Sequence, residues 1–264
     1  MKLAFIGGGV MGEAIIGGVL RNGLAGANDV AVCEVIARRR EELSATHGVR
    51  AVEKPAEALE GAEVVVLAVK PQEFATAARD ISLKSGQTVM SIMAGVTIKA
   101  IREALKHEAI VRAIPNTPAQ IGEGMTVWTA TDAVPEAARE AVQAILAVLG
   151  QELYVTDEKY VDMATAVSSS GPAYVFLVME AMIDAGVHIG LRRDVAQRLV
   201  VQTMLGSAKY AEATGRHPAE LRNQVTSPAG TTTEGLLALE KAGLRRAFVE
   251  AVRAAYDKAQ RLGG

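Results

Sequence analysis

The string Ile6-Gly7-Gly8-Gly9-Val10-Met11-Gly12 restricts this chain more than any other feature. It lies between a strand-length apolar run, Leu3–Ile6, and a helix-like segment over residues 13–20. Glycines at 7, 9 and 12 meet three demands of a strand-to-helix turn that receives a diphosphate. These are a tight turn, close approach of backbone to ligand, and close packing of helix on strand. The helix then turns free N–H groups and the positive end of its dipole toward the same place. A second apolar run, Val30–Cys33, follows where a βαβ unit needs it. The loop therefore predicts dinucleotide binding.

Glu34 ends that second run about 20 residues beyond Gly12, where a carboxylate commonly holds the adenosine ribose. A carboxylate there repels a 2′-phosphate and favours NADH. Arg38, Arg39 and Arg40, one helical turn on, offer the opposite, a clamp for that phosphate. They read equally well as a solvated face beside Glu41 and Glu42. The residues leave NADH and NADPH both open.

Further apolar runs at 64–69, 88–92 and 110–113 alternate with amphipathic segments, such as 97–105 with Thr97 as N-cap. Runs apolar on both faces are typical of buried parallel strands. Further strands are expected at 125–129 and 153–155, around a helix at 135–149. Beyond that the pattern is helical only. Asp194 and Gln197 have capping-box spacing at the start of a helix reaching about 213. The expected fold is an α/β Rossmann-type N-terminal domain with a parallel sheet, followed by an all-α C-terminal dimerisation domain. The division is expected between 1–160 and 161–264.

Half of the 264 residues are hydrophobic but only 4% are aromatic, so the core must be aliphatic. Lone Cys33 forms no internal disulfide, which fits a reducing cytoplasm and a small buried side chain. With 28 basic and 30 acidic residues and no basic patch beyond Arg38-Arg39-Arg40, no nucleic-acid partner is expected. The first residues reach their glycines before a signal-peptide apolar region can form. The apolar stretch 173–189 carries Glu180, Asp184 and His188, so it reads as a core helix and no membrane partner is expected. His47, His107, His188 and His217 lack metal-ligand spacing and read as surface or loop residues, so no metal is expected.

Five more strings stand at expected strand ends or helix starts. They are Leu67-Ala68-Val69-Lys70-Pro71-Gln72, Ser91-Ile92-Met93-Ala94-Gly95-Val96-Thr97, Pro115-Asn116-Thr117-Pro118-Ala119, Ser168-Ser169-Ser170-Gly171-Pro172-Ala173-Tyr174, and Val225-Thr226-Ser227-Pro228-Ala229-Gly230-Thr231-Thr232. Together, in order and spacing, they resemble pyrroline-5-carboxylate reductase, which catalyses the last step of proline biosynthesis. The resemblance runs from the first strand to the final helix.

The resemblance implies hydride transfer from NADH or NADPH to the C=N bond of 1-pyrroline-5-carboxylate, giving L-proline. It implies that Ile6, Gly7, Gly8, Gly9, Val10, Met11 and Gly12 cradle the pyrophosphate. Ala68, Val69, Lys70 and Pro71 would line the nicotinamide side, Met93, Ala94 and Gly95 would border it, and Asn116 would join them. Tyr174, Val225, Gly230, Thr231 and Thr232 would meet the substrate, with Thr232 hydrogen-bonding the ring nitrogen. It also implies an intertwined homodimer, with higher assembly of dimers open. Three positions depart from the family pattern: Ser169 and Ala229 stand where it has glycine, and Pro55 where it often has asparagine.

The residues themselves support this chemistry. The turn 228–232 precedes an apolar helical segment, 234–239, and offers free N–H groups to a carboxylate. Thr231 and Glu234 also have capping-box spacing, and one hydroxyl can cap while the backbone binds an anion. A protonated imine is already electrophilic, so Thr232 needs only to hydrogen-bond it; Tyr174 is a reserve donor. Two rival readings are a two-domain hydroxyacid dehydrogenase and a non-catalytic NAD(P)-sensing protein. The first needs a base, yet residues 168–184 contain no lysine or histidine. The second has no use for the 230–232 turn.

Overall fold

The computed structural model describes residues 1–263. These form two compact units: the first takes in Met1–Pro172 and the chain from Ala254 onward, the second Ala173–Arg253. The sequence expectation divided the chain at 160 and gave everything beyond to one helical part. In the structure the helix that opens the second unit starts within the first, and the final helix ends within it.

The first unit is built on strands β1 (Leu3–Ile6), β2 (Val30–Cys33), β3 (Arg50–Val52), β4 (Val64–Leu67), β5 (Thr88–Ser91), β6 (Ile110–Ile114), β7 (Gly124–Ala130) and β8 (Gly150–Tyr154). They lie in one sheet in the order β3-β2-β1-β4-β5-β6-β7-β8. The chain winds outward both ways from β1, which leaves a crevice at the C-terminal ends of β1 and β4, where ligands of such sheets bind. Helices α1 (Val10–Arg21), α2 (Ala37–His47), α3 (Pro55–Leu59), α4 (Phe74–Ala77), α5 (Ile98–Leu105), α6 (Glu136–Ala147) and α7 (Lys159–Ala164) connect or follow the strands.

Alternation along the strands sends successive side chains to opposite faces. Leu3, Phe5, Val30, Val32, Val64 and Val66 pack with Ile15, Ile16 and Val19 of α1 and with Val142, Ile145 and Leu146 of α6. Ala4, Ile6, Ala31, Cys33, Val65 and Leu67 pack with Leu59, Phe74, Ile101 and Leu105 on the other face. Thr97 caps α5 as expected, its Oγ1 accepting from the Ala100 N–H at 3.2 Å.

One strand corrects the expectation of a wholly parallel sheet. β7 runs antiparallel to β6, with Val111 opposite Ala130 and Ile114 opposite Val127. The short 115–123 connection explains it, since a parallel return needs a crossover of a dozen residues or more. The edge strand β3 was not expected either. Its Arg50 is exposed and its other two residues are half-buried, so it lacks the apolar signature of the inner strands.

Arg112 in β6 is a buried cation with 1% of its side chain exposed. Its Nη1 donates to Glu158 at 2.7 Å and its Nη2 to Asp162 on α7. Glu158 Oε1 also accepts from the N–H of Ile98, at the first position of α5. This triad fixes α7, which runs through a π-helical turn, Thr165–Ser169, toward the next helix.

That helix is α8 (Gly171–His188), followed by α9 (Arg193–Thr214), α10 (Pro218–Gln224), α11 (Thr231–Lys241) and α12 (Leu244–Gly263). The stretch expected as a core helix is helical, but no residue of α8 is buried. In the second unit only Ala196 and Val200 of α9 are buried among the described residues. The capping box expected at Asp194 is absent. Arg192 is the N-cap of α9, and Asp194 instead accepts two bonds from the Arg192 guanidinium, at 3.0 and 3.1 Å.

Candidate functional site

The glycine loop hangs between two strands. The Gly7 N–H donates to the Cys33 carbonyl and the Ala68 N–H to the Ile6 carbonyl, both at 2.8 Å. Gly7 has φ +100°, and a Cβ there would lie 2.7 Å from the Ala68 carbonyl oxygen. Gly12, in the first turn of α1, would set a Cβ 2.8 Å from the Gly7 oxygen. Both glycines are thus required by the fold. Gly9 is not: its φ is −69°, and a Cβ there would meet nothing within 4 Å.

Gly9 is the N-cap of α1 and supplies no side chain to cap it, and Val10 beside it is 62% exposed. A helix start ordinarily has its first N–H groups satisfied by a cap, water or ligand. Here Gly9 and Val10 are exposed at the helix start, and a Cβ on Gly9 would meet nothing within 4 Å. This cradle fits the diphosphate of a dinucleotide.

At the end of β2 the Glu34 carboxylate accepts from the Gly8 N–H at 2.9 Å and from the Ile36 N–H at 3.0 Å. Glu34 thereby stands at the loop, with its remaining lone pairs available to a ribose. Two of the three arginines are committed elsewhere. Arg39 Nε donates to the Gly8 carbonyl at 2.9 Å, while its two Nη atoms bond Glu42 and Glu13. Arg40 holds the Glu34 and Val35 carbonyls and Glu53. Among the described residues Arg38 pairs only with Glu42, and its side chain is 88% exposed.

Glu13, in the first turn of α1, joins this cluster. Burial pushes its carboxyl upward, but bonds from Arg39 and His47 outweigh that and hold it below the ordinary carboxylate value. His47 was expected at the surface. Its ring is instead 15% exposed, with Nε2 3.1 Å from Glu13 Oε1. It lies at the end of α2 that packs on α1, a placement with no local signature.

Ala68 and Val69 leave β4 half-buried beside the glycine loop, followed by half-buried Pro71 and exposed Lys70. The Ile92 N–H bonds the Leu67 carbonyl at 3.1 Å, which brings the 91–95 segment alongside. The Met93 side chain is turned into the core, 2% exposed, and Ala94 is half-buried. Gly95 has φ +77° and lies against α12, where a Cβ would meet Leu262 at 2.5 Å. Asn116 has both ends of its amide occupied. It donates to the Ser168 carbonyl and Oγ at 3.3 and 3.4 Å and accepts from the Met125 N–H at 2.9 Å. Pro55 opens α3, where its missing N–H costs nothing.

Tyr174, Val225, Gly230, Thr231 and Thr232 belong to the second unit. Tyr174 is half-buried in the first turn of α8, and Val225 is exposed at the end of α10. The Thr231–Glu234 capping box is not formed. Gly230 is the N-cap of α11 and no side chain caps it, because the helix begins one residue before that box requires. Thr232 lies half-buried in the first turn, while Thr233 Oγ1 donates to the Ser227 carbonyl at 2.9 Å. α11 thus starts, like α1, at a glycine N-cap with no side-chain cap.

Two family profiles match the chain: one described as pyrroline-5-carboxylate reductase dimerisation over residues 158–262, the other as NADP oxidoreductase, coenzyme F420-dependent, over 2–95. A pyrroline-5-carboxylate reductase from Synechocystis is 42% identical over all of this chain and 98% of its own length. The chain belongs to the pyrroline-5-carboxylate reductase family. One from Pseudomonas aeruginosa is 38% identical over 99% of this chain and 96% of its own. The structure is similar to those of a pyrroline-5-carboxylate reductase from Coxiella burnetii and of a Plasmodium falciparum pyrroline carboxylate reductase with NADP bound. Their TM-scores are 0.89 and 0.92 at 34% and 30% identity, each over 100% of this chain and 98% of the other.

One departure from the pyrroline-5-carboxylate reductase pattern has a structural consequence. Ala229, where that pattern has glycine, adopts φ +53°, a left-handed conformation that crowds its Cβ. Reverting it, Ala229→Gly, is expected to stabilise the folded chain by about 1 kcal/mol. Thermal or urea unfolding checks this; a variant no more stable than the parent would mean the turn bears no such strain.

Proposed function

We propose that this chain is a pyrroline-5-carboxylate reductase that reduces the C=N bond of 1-pyrroline-5-carboxylate to give L-proline with NADH or NADPH. Identity over the whole length of curated relatives supports the reading. The structural observation that carries it is a pair of helix starts with glycine as N-cap and no side-chain cap, one at the glycine loop and one at Gly230–Thr232. Coenzyme and substrate both carry anionic groups, which helix starts can hold.

A bound reduced nicotinamide supplies the hydride; the chain's residues bind, orient and exclude water. Ile6 through Gly12 receive the diphosphate and Glu34 the ribose. Ala68, Val69, Lys70 and Pro71, with Met93, Ala94 and Gly95, form the nicotinamide side. Met93 and Gly95 do so as packing beneath it, and Asn116 by holding the segment at Ser168 in place. The first-turn N–H groups of α11, from Thr231 and Thr232, hold the substrate carboxylate beside the Gly230 N-cap, whose own N–H is bonded to the Ser227 carbonyl, and Tyr174 and Val225 border the ring. Thr232 Oγ1 hydrogen-bonds the ring nitrogen. When the imine is protonated, addition of hydride to its carbon gives the neutral amine directly, so Thr232 orients and need not act as an acid.

Mixing the protein with each coenzyme and 1-pyrroline-5-carboxylate, and following nicotinamide absorbance, tests this. Oxidation with at least one coenzyme is expected, and Thr232→Ala should lower kcat about tenfold while leaving the coenzyme KM unchanged. No oxidation with either coenzyme would overturn the reading; an unchanged kcat would remove Thr232 from it.

The same reading makes the protein a soluble cytoplasmic homodimer. The helices of the second unit expose Val175, Phe176, Leu177, Leu199, Val201 and Leu205, more apolar surface than a monomer ordinarily tolerates. The helical run Lys159–His188 is apolar enough to cross a membrane by length and composition. A second copy is the better occupant, because the dimerisation profile spans these helices. An intertwined pairing, and assembly of dimers beyond it, extend the proposal. Light scattering in detergent-free buffer should find a dimer or multiple of it, and Leu199→Asp should break it down. A monodisperse monomer would contradict the assignment.

A further inference from the structure

The cluster of Arg39, Glu13 and His47 lies outside the residues assigned above, and it grips the loop those residues depend on. Arg39 uses each arm of its guanidinium on a different partner: Nε on the Gly8 carbonyl, Nη1 on Glu42, Nη2 on Glu13. Glu34 holds the same glycine by its N–H. Both polar groups of Gly8 are therefore taken by side chains from the β2–α2 segment.

We propose that Arg39 is a positioning residue for coenzyme binding, acting through the Gly8 peptide and through the charge of Glu13, not as a phosphate ligand. The inference rests on the coenzyme reading of the glycine loop. Two physical effects carry it. A trans peptide is planar with its C=O and N–H opposed, so holding the Gly8 carbonyl toward α2 turns the Gly9 N–H to the other, exposed side. A Cβ on Gly9 would meet nothing within 4 Å, and the Arg39 bond to the Gly8 carbonyl holds the peptide that carries the Gly9 N–H.

The second effect is electrostatic. Glu13 sits in the first turn of α1, where a carboxylate competes with a diphosphate for the positive helix end. Arg39 and Glu13 have 24% and 30% of their side chains exposed, so their interaction is only partly screened. Paired with Arg39, the Glu13 carboxylate leaves the helix start free to attract a second anion. His47 approaches the other oxygen of Glu13 and holds the carboxylate in that pairing.

A lysine reproduces the charge but not the three-armed fork. That separates the two effects, and the pair of coenzymes separates positioning from phosphate contact. NADH and NADPH dissociation constants are to be measured by nicotinamide fluorescence for the full-length wild type, R39A, R39K and R39A/E13Q, with the melting temperature, kcat and imine KM of each. R39A should weaken both coenzymes about tenfold or more and by equal factors, R39K less. R39A/E13Q should recover part of the loss. Melting temperatures should stay within about 4 °C of the wild type. At saturating coenzyme, kcat and imine KM should hold within about twofold, because only the bound geometry of the loop is altered.

Loss of NADPH affinity alone would make Arg39 a phosphate ligand and overturn the proposal. Unchanged affinity for both coenzymes would also overturn it, as would a parallel collapse of melting temperature and activity in R39K. Failure of the wild type to bind either coenzyme would overturn the coenzyme reading and this inference with it.

Discussion

The first unit depends on one close approach, that of the Gly7 backbone to the peptide leaving β4. A Cβ on Gly7 would lie 2.7 Å from the Ala68 oxygen, so there is no room for a side chain. The approach lets the Ile6 carbonyl accept from Ala68 while the Gly7 N–H reaches Cys33. The loop is thereby held between β2 and β4, above the crevice that strand order opens at β1. α1 must then start at the sheet edge with its N–H groups outward. Gly12 repeats the constraint one turn on.

Recognition by backbone follows from composition. With 4% aromatic residues the chain has few rings to stack on a base or sugar, and its charges nearly balance. Two of the three arginines near the loop do not compensate, since Arg39 and Arg40 are spent on carbonyls and carboxylates of the chain itself, while Arg38 stays exposed. The starts of α1 and α11, neither with a side-chain cap, carry a partial positive charge that suits an anion. Both starts have glycine as N-cap, which leaves N–H groups unshielded where serine or aspartate would occupy them.

The sequence made the inner strands legible because burial on both faces leaves a continuous apolar run, and β1 and β2 fall where those runs predict. β3 escaped because an exposed edge strand has no such run. The direction of β7 escaped because apolar content says nothing about polarity; the length of the 115–123 connection was the available signal. For α8 the apolar pattern was read correctly as helix and wrongly as core. A helix covered by its own chain and one covered by a second copy have the same composition. The strand-to-helix turn of the glycine loop and the place of Glu34 beside it were legible from spacing. The capping boxes at 194 and 231 were not, because a one-residue shift of a helix start turns a cap into a first-turn side chain. The Arg39–Glu13–His47 cluster joins residues far apart in sequence, which no local pattern reveals.

Gly9 separates the demands of the fold from those of the ligand. Alanine fits its backbone conformation and meets no neighbour, so Gly9→Ala should fold with an unchanged melting temperature. Its methyl group would occupy the space proposed for the diphosphate. The coenzyme dissociation constant of this variant is the most direct measurement. The account predicts a rise of about tenfold or more at unchanged stability, from loss of charge-assisted bonds to the helix start. Wild-type affinity in Gly9→Ala would contradict it, because the open cradle at the start of α1 would then not be where the coenzyme binds.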